Sequence, residues 1–181
     1  MLQTAVSTLD GFIEYLDGLS GRARLEELVA ELARLEISFE DVREHAHFSS
    51  QSYMRNLVRA GRWYHVLVLC WKNGQRSPIH DHAGSVCALR VLRGTLTETL
   101  FEFTPNGHVK ATFSRDFLPG SVVASQDDDL HQVSNLQAGS ADLVTLHVYA
   151  PPLRQMGTYS LTGLSRGIEP MFVEFFDAAG I

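Results

Sequence analysis

From Gly61 onward the chain consists of short β-branched and aromatic runs separated by turn signals, and this texture restricts the fold more than any other feature. The runs are Tyr64 to Trp71, Val86 to Arg93, Thr95 to Phe103, Val109 to Arg115, Ser121 to Ser125, Gln132 to Ser134, Asp142 to Tyr149, and a last one around Met171 to Phe176. Between them stand Asn73-Gly74, Arg93-Gly94, Pro105-Asn106-Gly107, Pro119-Gly120 and Ala138-Gly139, sequences that favour tight reversals. Many short strands at this spacing predict a sandwich or barrel.

Ahead of Gly61 the period is helical. Leu2, Val6, Leu9, Ile13 and Leu16 mark one face of a helix running to about Asp17, and Leu25, Leu28, Val29, Leu32 and Leu35 mark a second. Gly18 and Gly21 separate the two. Ser49-Ser50-Gln51-Ser52, a run of cap-forming residues, then predicts a short third helix over Tyr53 to Val58. The expected organisation is one domain over residues 1–181, with a helical part (1–60) packed on a mainly β part (61–181).

Charge and cysteine usage narrow the function. A net charge of −6 with no Lys/Arg cluster gives no sequence-independent attraction to phosphate backbones, so no nucleic-acid partner is expected. Residues 1–10 lack a basic stretch followed by an apolar run, so neither a signal peptide nor a membrane span is expected there. Cys70 and Cys87 are the only cysteines, which excludes a disulfide scaffold and fits a reduced, cytoplasmic compartment. A monomer is expected.

The chemistry-bearing residues are histidines. His80 and His82 stand at i and i+2 on an extended segment, which turns both rings to one side, where they can reach one metal ion. His131 is a third candidate ligand, and Cys87 stands where a metal-binding carboxylate would complete the set. Three neutral imidazoles leave a divalent ion its full charge, so it attracts anions, thiolate included. Zinc also suits such a ligand set, so the residues alone leave the metal open. Farther on, Thr145, His147 and Tyr149 alternate with Val144, Leu146 and Val148 on one strand. The polar face suits a lumen and the aliphatic face suits packing between sheets.

The spacing of Gly74, His80-x-His82, Gly94 and His131-x-x-x-Asn135 resembles the paired motifs of the cupin barrels. Two departures stand out: Cys87 replaces the usual glutamate, and Pro119-Gly120 lies too far before His131. Both are shared by the cysteine dioxygenases, and the detailed resemblance is to that family. It is carried by Tyr53-Met54-Arg55-Asn56-Leu57, Leu69-Cys70-Trp71, Ser77-Pro78-Ile79-His80-Asp81-His82, Gly94-Thr95-Leu96-Thr97-Glu98-Thr99-Leu100-Phe101 and Leu146-His147-Val148-Tyr149-Ala150-Pro151-Pro152, in order.

The resemblance implies a cupin-type, jelly-roll-like β-barrel and a non-haem Fe(II) ion on His80, His82 and His131. It implies a cytoplasmic enzyme of cysteine catabolism, with L-cysteine and O2 as substrates and cysteine sulfinic acid as product. Arg55 would anchor the substrate carboxylate, with Tyr53 adding a phenolic contact. Thr145, His147 and Tyr149 would take the places of a Ser-His-Tyr relay, threonine keeping the hydroxyl; His147 either moves a proton or only orients Tyr149. Cys87 is a buried apolar thiol, a metal ligand, or one end of a thioether crosslink to Tyr149 as in the animal enzymes. Relatives acting on 3-mercaptopropionate tend to carry glutamine at the Arg55 position, so arginine favours cysteine. The alternatives are a dioxygenase for 3-mercaptopropionate or another thiol acid, and a non-catalytic metal-binding cupin.

The other candidates carry less. His45, His47, His65 and His108 are expected at the surface or in packing, and Asp127-Asp128-Asp129 in a solvated loop. Met156 suits an apolar pocket wall. Arg154 is a candidate second anion contact that would favour a dicarboxylate thiol.

Overall fold

The computed structural model describes residues 8–164 and 166–171. The expected helical positions Leu2 and Val6, and residues 172–176 of the expected last strand, lie outside the described residues. Helix α1 (Leu9–Asp17) begins at Thr8, whose Oγ1 accepts the Gly11 N–H at 3.2 Å. Helix α2 (Leu25–Arg34) ends on Arg90, whose Nη1 donates to the Leu32 and Ala33 carbonyls at 2.9 and 3.1 Å. Those carbonyls have no partner within the helix, so a guanidinium from the sheet completes the C-terminus. A 3-10 turn (Glu40–His45) follows.

Among the described residues eleven strands follow: β1 (Met54–Ala60), β2 (His65–Trp71), β3 (Ile79–His80), β4 (Val86–Arg93), β5 (Leu96–Phe103), β6 (Val109–Phe117), β7 (Val122–Gln126), β8 (Leu130–Ser134), β9 (Leu143–Ala150), β10 (Gln155–Tyr159) and β11 (Gly167–Pro170). They form a five-stranded sheet, β1-β2-β9-β4-β7, and a six-stranded sheet, β11-β10-β3-β8-β5-β6. The sheets face one another as a jelly-roll-like sandwich rather than a closed barrel. At every expected turn the glycine, at 74, 94, 107, 120 and 139, has positive φ. Gly94 is also sterically required, since a Cβ there would lie 2.5 Å from the Asp142 carbonyl oxygen.

Two apolar layers result. Phe12, Leu16, Leu28, Leu32 and Leu35 pack with Val144, Leu146 and Val148, so the helices cover the outer face of the five-stranded sheet. The aliphatic face of β9, expected between the sheets, lies under the helices instead, leaving the polar face of β9 to look inward. The layer between the sheets holds Leu67, Leu69, Trp71, Leu89, Val91, Leu96, Val133 and Met156. Each fully buried large side chain contributes roughly 1.5–3 kcal/mol.

One element differs in kind from expectation. Tyr53 to Val58 is not a helix; β1 runs antiparallel to β2 with Arg55 opposite Leu69. Met54 and Val58 pack with the helical layer, while Tyr53 and Leu57 pack with the inter-sheet layer. A strand that packs apolar residues on both faces has no purely polar stripe, and those residues then pass for a helical period. Asn56, fully buried, is held by donating to the His47 and Val68 carbonyls, each at 3.1 Å. Strands β3 and β10 carry too few apolar residues to be foreseen, and β11 lies just ahead of the expected last run.

Candidate metal centre

His80 ends β3 and is the direct cross-strand partner of His131 on β8. His82 lies two residues beyond His80 in the following turn, where its N–H donates to the Asp127 carbonyl at 2.9 Å. Asp81, between them, points the opposite way and is gripped there. It accepts from Gly157 N at 2.9 Å, Tyr159 OH at 2.7 Å and Arg166 Nη2 at 2.6 Å. Gly157 is needed for this, because a Cβ would stand 2.3 Å from Asp81 Oδ2. The expected alternation therefore holds even though the strand itself stops at His80. The three imidazoles are buried (6%, 0% and 2% exposed), and their ligand nitrogens all lie within 4.8 Å of one another.

The hydrogen bonds around the rings dictate where their lone pairs point. His80 Nδ1 lies 3.0 Å from the Pro78 carbonyl oxygen, which can only accept, so this nitrogen carries the proton. His131 Nδ1 lies 2.9 Å from Glu98 Oε1, a carboxylate with Arg115 Nη2 3.7 Å from its other oxygen. It therefore donates as well. His80 Nε2 is then an acceptor, and it faces His131 Nε2 across 3.2 Å. Both nitrogens of His82 are buried without any partner. Burial, reinforced by His131, holds the imidazoles of His80 and His82 well below the usual histidine range, so they remain neutral. Converging lone pairs on neutral rings are what a divalent cation requires, and the residues fit one.

The five-stranded sheet supplies the opposite wall. Arg55 on β1 and Tyr53 just before it project into the same narrow cavity as the three histidines, with Cys87, His147, Tyr149 and Met156. Tyr53 stacks on Trp71, ring centroids 4.1 Å apart, and its hydroxyl accepts from Arg55 Nε at 3.1 Å and also from Nη2. From β9, Thr145 Oγ1 accepts from Trp71 Nε1 at 3.1 Å and meets His147 Nε2 at 2.9 Å. His147 Nδ1 lies 3.3 Å from Tyr149 OH and 4.0 Å from Cys87 Sγ. Burial lowers the His147 pKa to about 3, with His131 and Arg55 adding to the effect, so its ring is neutral. Burial pushes the Cys87 thiol up to about 12 and Tyr149 well above its usual value.

The chain matches the family described as "Cysteine dioxygenase type I" over residues 4–162. It is 32% identical over 170 residues to cysteine dioxygenase type 1 of Danio rerio, a match covering 88% of this chain and 84% of that protein. The chain belongs to the cysteine dioxygenase type I family. It is 36% identical over 134 residues to the Rattus norvegicus cysteine dioxygenase type 1, covering 71% of this chain and 66% of the rat protein, just under two thirds of its length. Among solved structures it resembles a Klebsiella pneumoniae protein with a double-stranded β-helix domain (TM-score 0.55, 16% identity, 65% of this chain and 88% of that one). It also resembles a protein from Thermus thermophilus (TM-score 0.52, 19% identity, 64% of this chain and 99% of that one). These two likenesses concern the fold alone. As a member of the cysteine dioxygenase family, the chain is an oxidoreductase.

Every residue picked out on the family resemblance lies in one place: His80, His82, His131, Arg55, Tyr53, Cys87, Thr145, His147 and Tyr149. Met156 lines the cavity as expected. Arg154 does not; it is exposed, and its carbonyl accepts the Met171 N–H. Asp127 pairs with Arg22 at 2.8 Å and Asp129 accepts the Gln126 N–H, so the acidic loop is engaged in the surface. Further groups touch the site and are not singled out by the sequence, Glu98, Trp71 and Glu169 among them. Glu98 leaves a signal, since it shares a strand face with Leu96 and Leu100, and a carboxylate among inward leucines needs a partner.

Proposed function

We propose that this chain adds both atoms of O2 to the sulfur of L-cysteine, giving cysteine sulfinic acid, at a non-haem Fe(II) ion held by His80, His82 and His131. The observation that supports this best is the shared cavity: three converging imidazoles on one wall, a guanidinium on the other. Bound Fe(II) would supply the positive charge that keeps the thiol deprotonated and the redox chemistry that O2 requires. The sulfur gives up as many electrons as O2 accepts, so no external reductant is consumed.

The chain's own residues do the rest. Arg55 presents a planar, permanently charged donor set suited to the substrate carboxylate. Tyr53, stacked on Trp71, holds that guanidinium at a fixed azimuth. Trp71 N–H can only donate, so Thr145 Oγ1 accepts it and turns its remaining hydrogen or lone pair toward His147. Two self-consistent settings follow. Either Thr145 donates to His147 Nε2 and Nδ1–H points at Tyr149, or Nε2–H donates to Thr145 and Nδ1 accepts the Tyr149 proton. The two settings differ in the tautomer of His147 and in whether the Tyr149 hydroxyl accepts from Nδ1 or donates to it, and in both the ring is neutral.

The same reading makes the chain a single cytoplasmic domain acting as a monomer. Arg55, in place of a neutral side chain, favours cysteine over thiols without a carboxylate. Turnover under isotopically labelled O2 tests the reaction: both sulfinate oxygens carry the label. Label entering from water, or a disulfide as sole product, would contradict it.

A further inference from the structure

Arg55 is already facing a carboxylate. Its Nη2 lies 3.1 Å from Oε1 of Glu169, a residue of β11 far away in sequence. The Arg55 side chain is 11% exposed and that of Glu169 42%, so the acid reaches in from the solvent side. Strand β1 is the outer strand of the five-stranded sheet and β11 the outer strand of the six-stranded one. The pair therefore joins the free edges of the two sheets at the mouth of the cavity. Glu169 is held in register there: it is the cross-strand partner of Met156, which lines the cavity, and Met171, two residues on, lines it too. Nε and Nη2 also donate to Tyr53. Among the described residues only Nη1 has no hydrogen-bond acceptor.

We propose that Glu169 is a specificity-determining residue: an internal carboxylate that competes with the substrate's carboxylate for Arg55. This rests on the reading of Arg55 as the carboxylate anchor. A second carboxylate arriving at one guanidinium meets the charge of the first and must displace or share with it. Glu169 therefore raises the concentration of amino-acid thiol needed to fill the site. It has the opposite effect on a thiol that is cationic and lacks a carboxylate. Arg55 without Glu169 would repel such a molecule, and Glu169 offsets that charge.

The test uses the Fe(II)-loaded full chain with two substrates: L-cysteine, and 2-aminoethanethiol, which is cysteine without its carboxylate. Glu169→Gln keeps the shape and removes the charge; Glu169→Ala is the second variant, and thermal melts confirm that both fold. The expected result is a KM for L-cysteine lowered about three- to tenfold, with a smaller change in kcat and no such gain for 2-aminoethanethiol. Anaerobic calorimetric titration with L-cysteine should show Kd tighter by the same factor. In an Arg55→Ala background, Glu169→Gln should change neither quantity. If Arg55→Ala weakens L-cysteine but Glu169→Gln does nothing in either background, the competition is disproved and the anchor stands. If Arg55→Ala leaves KM for L-cysteine unchanged, the anchor reading itself fails. An equal gain for both substrates would also overturn the proposal, since it would mark a general effect on access.

Discussion

Cys87 on β4 and Tyr149 on β9 are direct cross-strand partners, and both side chains face the cavity that holds the three histidines. Directly opposed residues have Cβ atoms about 4.5–5.5 Å apart, within reach of a single covalent bond between a sulfur and an aromatic ring carbon. His147 Nδ1 contacts both partners, at 4.0 Å to Sγ and 3.3 Å to the phenol oxygen.

The first prediction follows from that register. Joining Cys87 Sγ to a ring carbon of Tyr149 removes one hydrogen from each, with O2 as the oxidant. Fe(II)-loaded protein that has turned over should be lighter by two hydrogens than untreated protein. The shift should vanish in Cys87→Ala. An unshifted mass after prolonged turnover rules the crosslink out.

Glu98 should act through His131. Buried at 2% exposure and 2.9 Å from His131 Nδ1, its carboxylate fixes the ring and the position of its proton. Glu98→Ala should weaken metal affinity by about 10–100-fold, measured by competition with a chelator, and Glu98→Gln by less, since an amide oxygen still accepts. Unchanged affinity in Glu98→Ala would remove Glu98 from the centre.

The metal-free, uncrosslinked protein should be stable over a restricted pH range. His147 has a folded pKa of about 3 against 6.5 ordinarily, and burial also holds His80 and His82 well below 6.5. Between those values the unfolded chain binds protons that the folded chain does not, so stability is complete above pH 6.5 and falls as pH drops. Each such group contributes up to about 1.4 kcal/mol per pH unit. On the basic side, burial raises Cys70 and Cys87 from 9.0 to about 12, so the unfolded chain loses protons first and stability falls as pH rises from 9. Denaturant midpoints from pH 4 to 11 should show a plateau between these limits. A midpoint that does not fall below pH 6.5 would contradict the neutral-ring assignment.

What the sequence reveals here depends on how local each signal is. The strand from Val86 to Arg93 can be read to the residue, because its apolar run is bounded by Gly84 and Gly94. The histidine ligands are legible because i, i+2 spacing on an extended chain fixes their direction. β1 reads as a helix because it packs apolar residues on both faces, which erases the alternation that marks a strand. The jelly-roll pairing that brings Arg55 opposite the histidines is non-local, and the resemblance alone makes it foreseeable. Glu169 is invisible for the same reason: nothing within 114 positions of sequence links it to Arg55.

The most direct test of the central claim is O2 consumption by Fe(II)-reconstituted protein in an oxygen electrode, with L-cysteine and 3-mercaptopropionate as alternative thiols. Uptake that depends on L-cysteine, matches the cysteine sulfinic acid formed mole for mole, and disappears in His82→Ala is the predicted result. Fe(II)-loaded protein that takes up no O2 with either thiol would contradict it, leaving a cupin that binds metal without performing this chemistry.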